Sequence, residues 1–177
     1  SLFYPVLMSM RHTRRLVPGA TYHVIARTNR REFLLSAPSI KDMFLGIIAR
    51  AKERFTFELV SLCVMDNHIH LMLRPTHDAS LSRIMQWMLS VFALRYNRLF
   101  GLHGHVWYDR FKSVVIGSLR QFVTTFNYVL DNPARAGLVS DGREYRYGPV
   151  GIIRYGPEGI IEEPSPLVRL LLAKEYG

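Results

Sequence analysis

FELVSLCVMDNHIHLMLR, residues 57–74, is the stretch on which the fold turns. Two runs rich in apolar and β-branched residues flank Asp66-Asn67, a pair that tolerates the left-handed backbone of a tight turn, so the stretch reads as a β-hairpin. With a two-residue loop, Met65 faces His68, Cys63 faces His70 and Ser61 faces Met72 on one side of the sheet. The other side then carries Val60, Leu62, Val64, Ile69, Leu71 and Leu73, an aliphatic layer that needs helices packed against it. Both histidines share the face opposite that layer.

Upstream, Thr21–Thr28 (TYHVIART) follows the Pro18-Gly19 breaker and reads as a strand. Ile40, Met43, Phe44, Ile47, Ile48 and Ala51 recur at helical spacing and predict an amphipathic helix from about Ser39 to Arg54. Downstream, Leu81, Ile84, Met85, Met88 and Phe92 repeat at the same spacing behind Ser80, an N-cap residue, with Trp87, Val91 and Leu94 widening the stripe. That helix should end near Gly101, and His105–Gly117 reads as a further strand. Ser118 caps a third helix whose Leu119, Phe122, Val123, Phe126 and Leu130 converge on one face, and Asn132-Pro133 is expected to end it. The order strand, helix, strand, strand, helix, strand, helix predicts an α+β fold, an antiparallel sheet with helices on it. Residues 140–177, rich in Gly, Pro and Tyr, read as a C-terminal tail, docking or autoinhibitory, and residues 1–13 as an N-terminal extension.

Of the 177 residues, 49% are hydrophobic, which suits one folded domain. The longest apolar run, Leu59–Met65, is broken by Ser61 and falls far short of the ~20 residues of a membrane-spanning helix. Cys63 is the single cysteine, excluding an intrachain disulfide and multi-cysteine zinc sites, and a cytoplasmic location is expected. Lys and Arg number 23 against 14 Asp and Glu, a net charge of +9 that favours polyanionic partners. The surplus is concentrated before residue 32, where Arg14, Arg15, Arg27, Arg30 and Arg31 stand without an acid, and between Arg95 and Arg120, which includes Arg110 and Lys112.

On a strand, residues two apart share a face about 6.6 to 6.8 Å from one another, so His68 and His70 can turn nitrogens toward one metal ion. The spacing alone leaves ligand and core roles open. In the third helix, Tyr128 lies about 180° from the centre of the apolar stripe, where a core tyrosine does not belong. Asn132, four residues on, projects from nearly the same side and has an oxygen to offer a cation.

Three motifs then carry a resemblance: VMDNHIHLMLRP around the histidines, WYDRFK at residues 107–112, and FNYVLDNPARAGLV around Tyr128. With YHVIARTNRR near the start, and in this order over roughly Arg14 to Val139, the chain resembles the REP-associated tyrosine transposases of the HUH single-tyrosine superfamily. The resemblance implies a ferredoxin-like, RRM-like HUH fold with the two histidines on a central strand, and a catalytic domain over residues 14–139. It implies a metal held by His68, His70 and Asn132, with Mg²⁺ or Mn²⁺ as the usual ion. It makes Tyr128 the nucleophile that cuts and rejoins single-stranded DNA through a 5′-phosphotyrosine. The implied partner is single-stranded or hairpin DNA, contacted by Arg14, Arg15, Arg27, Asn29, Arg30, Arg31, Arg110 and Lys112, with Trp107 stacking on a base or packing in the core. Monomer and homodimer both remain open, the short link from Gly117 to Tyr128 favouring a site within one chain. The alternative is a transposase-derived protein that binds DNA hairpins without catalysis. Histidine-triad enzymes are disfavoured, since Met72 stands where a third histidine would be needed, and two-histidine phosphoesterases because their paired HxT or HxS motifs are absent.

Overall fold

In a computed structural model, residues 17–76 and 78–173 are described. Four strands form one antiparallel sheet: β1 (Thr21–Arg27), β2 (Phe57–Val64), β3 (His68–Pro75) and β4 (Lys112–Ile116), in the order β2-β3-β1-β4. Helices α1 (Pro38–Arg54) and α2 (Leu81–Phe100) interleave with them, followed by α3 (Leu119–Arg135), α4 (Pro149–Tyr155) and α5 (Pro166–Ala173). The first six elements follow the βαββαβ order of the ferredoxin-like fold, so the α+β expectation is met, with β3 and the histidines at a central position.

The hairpin register is as read from the sequence, with Cys63 opposite His70 and Ser61 opposite Met72. One member of the aliphatic layer is different. The pairing shifts between Leu59 and Ser61, so Leu59 pairs with Leu73 and Val60 is the extra residue. Such a bulge reverses which side a neighbour faces. Leu59 therefore joins the core with Leu62, Val64, Ile69, Leu71 and Leu73, while Val60 packs on the opposite side. Phe44, Ile47 and Ile48 of α1 and Ile84, Met85, Met88 and Phe92 of α2 close over this layer. The α2 stripe stops short of Leu94, which is exposed.

The second face is covered by Phe126, Val129 and Leu130 of α3, with Cys63, Met65 and Met72 beneath them. Ser118 caps α3 through its side chain, accepting from the Gln121 amide. Leu119, expected in the stripe, is exposed at the first turn. Nor does Asn132-Pro133 end the helix: Pro133 sits inside its last turn and the left-handed Gly137, with φ 73°, follows as the stop. A proline there forfeits only one hydrogen bond near the fraying end, and burial of Pro133 compensates.

Strand β4 is also shorter than read. Residues 105–111 make only an isolated bridge, Thr28 to Trp107, because Val106 and Phe111 turn into the helix-side core and the Trp107 indole donates to the Leu89 carbonyl at 2.9 Å.

Past residue 140 the chain runs back along edge strand β2. The Tyr145 hydroxyl donates to the Val64 carbonyl at 2.9 Å, the Val64 amide donates to the Tyr147 carbonyl at 2.9 Å, and the Glu162 amide donates to the Leu59 carbonyl at 3.1 Å. Val150, Val168 and Leu171 then complete the apolar cluster under α3. Gly142 passes so close to the Leu130 carbonyl of α3 that any Cβ there would collide with it. No helix among the described residues is long and apolar enough to cross a membrane.

Candidate active site

The odd-numbered residues of β1 and the even-numbered ones of β3 and β4 share the face that α3 crosses. Arg27 pairs with His68, Ile25 pairs with both His70 and Lys112, and His23 lies between Met72 and Val114. The polar edge of α3 brings Tyr128 and Asn132 over them. The Tyr128 ring meets His70 edge-on, 5.4 Å between centroids, and remains 37% exposed. Asn132 is buried, its Oδ1 3.3 Å from His68 Nε2. All four residues proposed from the sequence thus meet at one place.

His23 is the member that sequence reading missed. Its Nε2 lies 3.0 Å from His70 Nδ1, its ring stacks on His70, and it meets Tyr128 edge-on with 6.0 Å between centroids. The signal was present in TYHVIAR: Tyr22, Val24 and Ala26 are buried, so alternation puts His23 on the histidine face.

Burial lowers His70 to about 3, helped by the charges of His68, His23 and Arg27. Burial likewise lowers His68, against the opposing effect of its contact with Asn132, and it lowers His23. Neutral imidazoles keep the lone pairs a cation requires. His70 Nε2 is buried without a hydrogen-bond partner, an orphan that a metal would satisfy. His68 Nε2, His70 Nε2 and Asn132 Oδ1 offer two nitrogens and an oxygen, a donor chemistry that fits a divalent cation. Among the described residues no three His, Cys, Asp or Glu side chains form a metal cluster.

Beside this site opens a cavity of about 440 Å³ lined by Ile25, Arg27, Thr28, Arg30, Arg31, Tyr108, Asp109, Arg110 and Lys112. Five cations face one acid. Arg27, Arg30, Arg31, Arg110 and Lys112 are thus gathered as the charge pattern suggested. Asn29 is not in the lining; its backbone N–H donates to the Val106 carbonyl at 2.8 Å and holds the loop. Trp107 is likewise a core residue, packed on Phe44 and Phe92, and the exposed aromatic is its neighbour Tyr108. Arg14 and Arg15 lie outside the described residues. His103 and His105 stand exposed on an irregular segment around Gly104, away from the site.

An antiparallel split-βαβ sheet with a histidine pair on a central strand, faced by a tyrosine on the third helix, defines the class. The chain belongs to the IS200-like transposase family, whose model matches residues 16–132, more than half of its length. A REP-associated tyrosine transposase, solved bound to a REP hairpin, is similar with a TM-score of 0.67 and 21% identity, covering 88% of this chain and 93% of that one. A Deinococcus radiodurans R1 chain described as a transposase matches at a TM-score of 0.49 and 22% identity, over 68% of this chain and 95% of that one. No curated protein matches the sequence. The resemblance read from the motifs is borne out by the family match, and the first structural likeness bears out the fold.

Proposed function

We propose that this chain nicks and rejoins single-stranded DNA next to a hairpin, with Tyr128 as the nucleophile. The observation that carries the reading is the exposed edge of Tyr128 standing against His70 and beside Asn132, on a helix whose other face is core. The Tyr128 oxygen bonds to the scissile phosphorus as its proton passes to water, the bond from phosphorus to the 3′-oxygen breaks, and that oxygen takes up a proton from water to leave as a free hydroxyl. A 5′-phosphotyrosine results. Its bond retains the energy of the phosphodiester, so an incoming 3′-hydroxyl displaces the tyrosine and reseals a strand without a nucleotide cofactor.

His68, His70 and Asn132 would hold Mg²⁺ or Mn²⁺, which offsets the charge that builds on the non-bridging oxygens. Arg27 and Lys112 reach from the histidine face into the basic cavity, so a strand crossing the site passes between cations. Tyr108 offers a face for an unpaired base. The family and the hairpin bound to the similar transposase point to the same class of substrate.

The test is incubation with an end-labelled DNA hairpin bearing a single-stranded flank, in Mg²⁺ or Mn²⁺, followed by denaturing electrophoresis. A covalent adduct is expected for the natural chain and none for Tyr128→Phe. An undiminished adduct in that variant would overturn the assignment. Tight hairpin binding with no adduct in the natural chain would indicate a binder without catalysis.

A further inference from the structure

We infer that Asn67 is a positioning residue for the candidate metal site, fixing which nitrogen of His68 carries its proton and leaving the other bare. The inference rests on the reading of His68 as a ligand. Asn67 makes two side-chain contacts: Nδ2 donates to the Arg31 carbonyl at 3.2 Å, and Oδ1 lies 2.7 Å from His68 Nδ1. The Arg31 carbonyl only accepts, so the nitrogen end of the amide must face it. The oxygen end is then the one beside His68, and an amide oxygen also only accepts. Nδ1 must therefore supply the hydrogen. A neutral imidazole has one N–H, so Nε2 presents a lone pair, and Nε2 is the atom 3.3 Å from Asn132 Oδ1. Two lone pairs facing at that distance call for a cation between them, or for Asn132 to turn its amide nitrogen inward until one arrives.

The backbone that carries this amide is held from behind. The Asn67 main-chain carbonyl accepts from the Thr28 backbone amide at 2.9 Å, and the buried Thr28 hydroxyl, with one proton to give, lies 2.6 Å from the Glu32 carbonyl and 3.0 Å from that of Asn67. Asp66, the other turn residue, is paired with buried Lys41 at 2.6 Å. Arg30 and Arg31 adopt left-handed backbone, φ 52° and 57°, which is unfavourable for residues with a Cβ. That conformation belongs to the turn that delivers the Arg31 carbonyl to Asn67. The hairpin turn and the arginine turn thus hold one another, and the Asn67 side-chain amide spans them behind His68.

Nitrogen-15 histidine spectra of the metal-free protein, with Mn²⁺ titrations, test this directly. His68 is expected as the Nδ1-protonated form in the natural chain. Asn67→Ala is expected to populate the Nε2-protonated form and to weaken Mn²⁺ binding about 10- to 100-fold. Asn67→Asp keeps an accepting oxygen beside Nδ1 and should retain both the tautomer and most of the affinity. An Nε2-protonated His68 in the natural chain, or an Asn67→Ala protein with unchanged tautomer and affinity, would overturn the inference. Mn²⁺ binding that persists undiminished in His68→Ala would instead overturn the ligand reading beneath it.

Discussion

The two sides of β3 are put to opposite uses. Ile69, Leu71 and Leu73 vanish into an aliphatic layer beneath α1 and α2, whereas His68, His70 and Met72, interleaved with them, look toward α3. The first side gains from every methylene it hides. The second hides His70 completely while leaving Nε2 without a partner, a net cost on folding. A strand whose alternate residues do such opposite things shows where stability is made and where it is given up for a site.

The sharpest break of this comparison uses adjacent residues. His70→Ala should lower adduct formation on the order of a thousandfold, since several kcal/mol of charge stabilisation goes with a ligand. Its melting temperature should fall less than that of Leu71→Ala, which removes a fully buried side chain and should cost about 2–5 kcal/mol. Equal losses of stability in calorimetry would erase the distinction between the faces. Gly142→Ala should cost about 1–3 kcal/mol by forcing a Cβ against the Leu130 carbonyl, which locates part of the support of α3 in the returning chain. A milder effect is expected from Lys112→Ala: the slope of log affinity for single-stranded DNA against log salt should fall by about 0.7 while the fold is untouched. Smallest of all, Cys63 should resist alkylation in the folded protein even at pH 8 and react only after unfolding. Its thiol is fully buried opposite His70, and burial pushes its pKa well above the ordinary thiol range, so thiolate is scarce at that pH. Rapid labelling of native protein would show that the second face opens.

The parts legible in the sequence were those with a strict period. Alternation placed His68 and His70 opposite Met65 and Cys63, and helical phase put Tyr128 off the apolar stripe. The bulge at Val60 left no mark, because a strand with an extra residue still reads as apolar throughout. His23 did carry a signal, the alternation of TYHVIAR, but a lone histidine in a β-branched run names no partner, and its own is 47 positions distant. The loss of regular strand between residues 105 and 111 depends on a bond from Trp107 to α2 that no local pattern announces. The continuation of α3 through Pro133 reflects burial overriding backbone preference. Asn67 was legible as a turn residue, and only its two bonds reveal the second duty.

The position of Val168 and Leu171 in the cluster under α3 has a meaning in time. A chain emerging from the ribosome can assemble β1 through β4 and lay α3 across them well before these two residues appear. The helix that carries Tyr128 then rests on an unfinished floor. Its support is complete only after residue 171 is free, so the order of synthesis makes the tyrosine's setting firm later than the sheet beneath it.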